Sequence, residues 1–185
     1  MRLLIASDIH GSAYYCERLM KKYREVMPDK LLLLGDILYH GPRNDLPRDY
    51  SPKQVSAMLN EISGEIICVK GNCEAEVDGL MLDFPVTSES CIVYYERKMI
   101  FATHGHVYNK ETPPKLHAGD VLLHGHTHVP VCERQPSGFT VLNPGSVSIP
   151  KDGSAHSFII FENGVFTWFD LEKQADEAGY MKWKM

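Results

Sequence analysis

The sequence predicts an α/β protein, with sheets packed on one another and helices outside. Two observations carry this. Through residue 72, apolar runs alternate with amphipathic stretches as strand, helix, strand, helix, strand, the signature of parallel βαβ units. Beyond residue 90 that spacing gives way to short strand-like runs separated by turn residues. The 185 residues, 44% apolar and 23% charged, are ordinary globular usage. They suffice for one sizeable core in a single domain, residues 1–185.

Residues 2–6 form an apolar strand that stops at Ser7-Asp8-Ile9-His10-Gly11. Ser12 opens a helix with Leu19, Met20, Tyr23 and Val26 on one face and Pro28 beyond its end. Leu31–Leu34 is a second strand, ending at Gly35-Asp36. Pro42, Pro47 and Pro52 make residues 39–52 irregular, and Pro52, suited to a first helical turn, starts a helix to about Ile62. Glu65–Val69 is a third strand, ending at Gly71-Asn72. Ser90–Tyr95 and Lys98–Thr103 form a hairpin around Glu96-Arg97. Short strands follow at 121–123, 129–134, 139–142, 157–161 and 165–169, with turns at 136–138 and Glu162-Asn163-Gly164. The charged tail after Glu172 reads as a surface extension.

A net charge of −5 offers no global field for nucleic acid or an acidic membrane. No apolar run approaches the ~20 residues of a membrane span, and the N-terminus lacks the apolar core of a signal peptide. The five cysteines are scattered, odd in number and without a CxxC pair, which argues against a disulfide framework or a cysteine zinc site. A reducing, cytoplasmic setting is the expectation.

The recurring event is an apolar strand that stops at a polar cluster. Asp8 and His10 follow the first strand, Asp36 the second and Asn72 the third. Thr103-His104-Gly105-His106 and His124-Gly125-His126-Thr127-His128 follow two later ones. Ligand sites of α/β sheets lie at the carboxyl ends of strands, so these side chains are expected to converge. Carboxylates, imidazoles and a carboxamide suit Mn²⁺, Fe²⁺, Co²⁺, Ni²⁺ or Zn²⁺. In Asp8-x-His10 and His126-x-His128, alternate residues of an extended segment can reach one cluster. A central carboxylate such as Asp36 can bridge two cations about 3.5–4 Å apart. No Ser-His-Asp elbow, Walker loop or GxGxxG motif competes.

In this order, Asp8-x-His10, Gly35-Asp36, Gly71-Asn72-Cys73-Glu74, His104-Gly105-His106 and Gly125-His126-Thr127-His128 resemble the motifs of the calcineurin-like metallophosphoesterases, across almost the whole chain. The segments 36–44 and 143–150 resemble its small bacterial YfcE-like phosphodiesterase subgroup. The resemblance implies a β-sandwich of mixed sheets flanked by helices, four layers in α/β/β/α order. It also implies two divalent ions per chain, with Mn²⁺ the expected metal. One ion would be held by Asp8, His10 and His128, the other by Asn72, His104 and His126, with Asp36 bridging. Asp36, Asn72, Cys73 and His104 are the expected catalytic residues, and a water between the ions is the implied nucleophile on a small phosphodiester. His40, His106 and His124 are expected beside the ligands.

Cys73 departs from the histidine that many members carry there, leaving solvent, His106 or His40 as candidate general acids. Tyr39-His40 replaces the Asp-Arg of the Ser/Thr protein phosphatases, which argues against that role. A lone histidine is an ordinary core or surface residue more often than a ligand, so His117 and His156, outside every motif, are read that way. Cys16, Cys68, Cys91 and Cys132 read as packing. Two rivals share the fold: a phosphomonoesterase or nucleotide phosphatase, and a Vps29-like non-catalytic scaffold. The first needs a basic clamp for a terminal dianion, and only Arg43 and Lys70 lie beside the motifs, neither clearly aimed inward. The second is disfavoured by the complete ligand set. Monomer and homo-oligomer both stay open.

Overall fold

Alternation in the first strand sets the layering. In β1 (Arg2–Ala6), Leu3 and Ile5 join one apolar cluster while Leu4 and Ala6 join another, so the strand lies between two layers. The computed structural model describes residues 1–173 and 179–185. In it β1 pairs in parallel with β2 (Lys30–Leu33), and β2 with β3 (Ile66–Cys68). The other edge of β1 continues antiparallel through β9 (Ser157–Glu162), β10 (Val165–Asp170) and β11 (Met181–Lys184). The second sheet runs β4 (Ser90–Tyr95), β5 (Lys98–Thr103), β6 (Val121–Leu123), β8 (Thr140–Pro144), β7 (Pro130–Arg134), with β5, β6 and β8 parallel.

Helix α1 (Ala13–Val26) starts where the Ser12 hydroxyl accepts from the Tyr15 amide, and ends where Met27 turns left-handed at φ 47°. Helix α2 (Pro52–Asn60) starts on proline. Cys16, Leu19, Met20 and Tyr23 of α1, with Val55 and Leu59 of α2, bury against Leu4, Ala6, Leu31 and Leu33. Between the sheets, Leu3, Ile5, Leu32, Phe161 and Trp168 face Ile100, Val121, Leu123 and Leu142. Trp168 ties the sheets together, its indole N–H donating to the Asn143 carbonyl at 2.7 Å.

Mixed sheets flanked by helices are thus what the chain forms. Among the described residues both α-helices lie on the first sheet. The outer face of the second, with Phe101, Leu122, Val131 and Val141, is covered by Leu116 and Phe139 from irregular chain, where a helical layer was expected. The tail expectation needs correction too. Residues 174–178 lie outside the described residues, but Met181–Lys184 is an edge strand, with Trp183 packing on Phe166. No helix among the described residues is long and apolar enough to cross a membrane.

Candidate metal centre

The carboxyl ends of β1, β2, β3, β5 and β6 meet at one edge of the sandwich, stitched by backbone hydrogen bonds. The amides of Asp8 and His10 donate to the carbonyls of Gly35 and Asp36, and the Gly125 amide donates to His104. Close approach explains two glycines. A Cβ on Gly35, at φ 91°, would lie 2.5 Å from the Gly71 nitrogen, and one on Gly125 would lie 1.9 Å from the Ser7 hydroxyl. The site residues themselves are bent sharply: Asp8, His10, Asp36, His126 and His128 all sit at φ between 50° and 66°. Left-handed backbone at non-glycine residues costs of order 1–3 kcal/mol each and collects at functional sites.

The structure brings all seven expected ligands together in two overlapping groups. In the first, His128 Nε2 lies 3.2 Å from Asp8 Oδ1 and 3.2 Å from His10 Nε2. In the second, His104 Nε2 lies 3.0 Å from Asn72 Oδ1 and 3.2 Å from His126 Nδ1. Asp36 Oδ2 reaches both, 3.4 Å from His104 Nε2 and 3.8 Å from His10 Nε2.

Three rings are oriented by backbone carbonyls: His10 Nδ1 by Tyr39 (2.8 Å), His104 Nδ1 by Leu34 (2.7 Å) and His128 Nδ1 by Ile149 (2.6 Å). A carbonyl only accepts, so Nδ1 carries the hydrogen and Nε2 of each neutral ring presents a lone pair inward. Asp8 Oδ1 is buried there without a hydrogen-bond partner. Lone pairs and carboxylate oxygens facing one another at these distances are a set that a cation satisfies. The residues fit the divalent ions the motifs imply.

The electrostatics say the same. Burial pushes the Asp8 carboxyl up, but the close imidazoles of His10 and His128 outweigh it and hold the group well below the usual carboxylate range. Burial alone would lower His104, yet its Asp36 hydrogen bond and the Asp8 charge raise it to about 9. His126 is driven down to about 4 by burial and by charge on His104. Burial and the Asp36 charge push the Cys73 thiol up.

The flanking histidines separate. His124 is buried, with Nδ1 2.9 Å from the Gly125 carbonyl. His106 is exposed at the rim, its ring 5.4 Å from that of His104. The His40 ring packs edge-on between Tyr39 and Tyr50 and makes no hydrogen bond to the cluster. His156 stacks on Tyr15, an ordinary structural role.

Glu74 has a part that the motif pattern did not reveal. Its buried carboxylate accepts the backbone N–H groups of Asp36 (3.0 Å), Ile37 (2.6 Å) and Gly71, clamping the β2 and β3 loops together. Asn143 does similar work opposite, donating to the Gly125 carbonyl at 2.7 Å and to Thr127. Ser146 and Ser148 donate to the Asp8 carbonyl. A cavity of about 420 Å³ opens over the cluster, lined by Asp36, Asn72, Cys73 and His126 with Arg43 and Lys151. Lys70 is exposed outside this lining, whereas Lys151, far along the chain, joins Arg43 among the residues that line it.

Residues 1–164 match the family model of the calcineurin-like phosphoesterase superfamily domain. The phosphodiesterase YfcE of Escherichia coli K12 is 44% identical over 175 residues, 95% of each chain. A solved structure of the E. coli phosphoesterase YfcE superposes with a TM-score of 0.93 at 41% identity, covering 100% of this chain and 99% of that one. Vps29 from Entamoeba histolytica shares the fold at a TM-score of 0.60 and 17% identity, covering 100% and 99%.

Proposed function

The chain belongs to the calcineurin-like phosphoesterase superfamily, and from that premise we propose that it is a metal-dependent phosphodiesterase with a two-ion centre. The observation that carries the two-ion reading is Asp36, whose Oδ2 stands within 3.8 Å of both imidazole groups. Asp8, His10 and His128 would hold one ion, Asn72, His104 and His126 the other, and Asp36 both; Mn²⁺ is the expected metal. Bound ions of this kind supply Lewis acidity, acidifying water and neutralising phosphoryl charge.

The chain's own groups do the rest. Backbone carbonyls fix the ring tautomers, so the donors need no reorganisation when charge develops. Arg43 and Lys151, lining the cavity, meet the negative charge of a phosphate ester. The Asn72 amide, 3.3 Å from Cys73 Sγ, faces the same cavity and can donate to a phosphoryl oxygen. With cysteine at position 73, its thiol pushed up by burial and by the Asp36 charge, that position offers no imidazolium to the leaving oxygen. Activated leaving groups should therefore react fastest. Free thiols at all five cysteines fit a reducing, cytoplasmic setting.

Arg43 and Lys151 also favour a second reading, a phosphomonoesterase or nucleotide phosphatase, because two cations suit a terminal dianion. The test is a screen of aryl diesters, aryl monoesters and nucleotides with metal-stripped and reconstituted protein. Chelated protein should be inactive, Mn²⁺ should restore activity better than Mg²⁺, and calorimetry should count two ions per chain. Aryl diesters should be turned over faster than matched monoesters. A clear monoester preference would install the second reading instead.

A further inference from the structure

Beside the polar cavity lies a second one, of about 340 Å³ and different chemistry. Its walls include Leu38, Tyr39, Tyr50, Pro52, Val77 and Met81, and it shares Cys73 with the cavity over the ion cluster. Tyr39, Val77 and Met81 are 42%, 58% and 36% exposed, an apolar surface at the edge of a cleft built for anions. The wall is braced rather than loose. The His40 ring lies edge-on to Tyr39 at 4.8 Å and to Tyr50 at 5.2 Å. The Asp78 carboxylate holds the Ala75 amide at 3.0 Å, fixing the turn that carries Val77.

We propose that this second cavity is a subsite for an aromatic ester group of the substrate. It rests on the phosphodiesterase reading above, and it narrows the substrate class to diesters with one aryl or similarly flat apolar arm. Cys73 lines both cavities, so the second lies one residue away from where a phosphate would sit over the cluster, within reach of one arm of a diester. A diester presents a single negative charge and carries a second organic group that needs a place. Tyr39 and Tyr50 offer faces and edges to a ring, and Val77 and Met81 offer aliphatic contact. The Tyr39 backbone carbonyl orients His10, while its side chain belongs to this wall.

The test compares two diester monoanions of the same charge, diphenyl phosphate and dimethyl phosphate, as competitive inhibitors of the Mn²⁺-loaded protein. Partial burial of a phenyl ring should make diphenyl phosphate bind about five- to tenfold more tightly. Met81→Ala and Val77→Asp should each bring that ratio toward one while leaving dimethyl phosphate unchanged. A ratio near one in the wild type, or a ratio that neither variant moves, would overturn the subsite. Equal weakening of both inhibitors would overturn it too, since the variants would then act through the ion centre. An unmoved ratio with a changed oligomeric state in Val77→Asp would give the patch to a second copy of the chain. Turnover of bis(p-nitrophenyl) phosphate is read in parallel. An intact ratio without diester turnover would sink the phosphodiesterase reading alone and leave the aryl-binding subsite standing.

Discussion

Replacing Glu74 by alanine should cost this protein more stability than any single metal ligand, although Glu74 faces no substrate. The carboxylate is 8% exposed and accepts three backbone donors, from Asp36, Ile37 and Gly71. Each stranded buried donor costs about 1–3 kcal/mol, so the gross loss is roughly 3–9 kcal/mol. Relief works against it: burial and the Asp36 charge raise the Glu74 carboxyl, and both penalties vanish with the side chain. A net loss of about 3–5 kcal/mol follows, or roughly 6–20 °C in Tm for a chain of this size. Glu74→Gln should fall between, because its amide nitrogen cannot accept from one of the two sides. The assay is thermal unfolding of metal-free protein, paired with calorimetric Mn²⁺ affinity, which should drop because the backbone at Asp36 and at Gly71, next to Asn72, loses its common anchor. A Glu74→Ala Tm within 2 °C of wild type would refute this reasoning.

Asp36→Asn should reduce turnover on the order of 10³-fold or more, and more than His128→Ala, because its oxygen serves both groups; near-normal turnover with two ions bound would reject the bridge. Metal uptake at pH 7 should expel about one proton, since His104 is raised to about 9 in the metal-free site and must be neutral to ligate. Apparent affinity should therefore climb with pH and level off above 9, read by calorimetry in buffers of different ionisation heat. The same shift has the opposite sign for metal-free stability. Because the folded pKa exceeds the unfolded one, that contribution is full below pH 6.5 and disappears as pH rises through 9.

What could be read from the sequence was whatever sits within a few residues of a strand end. Asp8, His10, Asp36, Asn72 and the three histidines after β5 and β6 announce themselves by ending apolar runs. The hairpin between β4 and β5 was legible too, and its turn residues Glu96 and Arg97 take left-handed φ of 45° and 67°, as a tight hairpin requires. Long-range meetings were not legible. Glu74 matters because the β3 loop folds against Asp36 and Ile37, and nothing local in its motif says which amides it will meet. Lys151 reaches the cavity only because the chain after β8 passes the metal centre. The short alternation Met181-Lys182-Trp183-Lys184 reads as a charged tail until β10 supplies a partner for its apolar face.

The left-handed backbone at Asp8, His10, Asp36, His126 and His128 sets stability against retention of function. At those five positions glycine would relax the main chain, yet each such change removes a donor. A duplicated copy released from catalysis would shed that strain most readily at the three histidines, since Asp8 and Asp36 also accept the backbone N–H groups of His126 and Cys73. The pattern of residues at these bends thus records whether a lineage still depends on its metals, and a working enzyme is recognised by the strain it continues to carry.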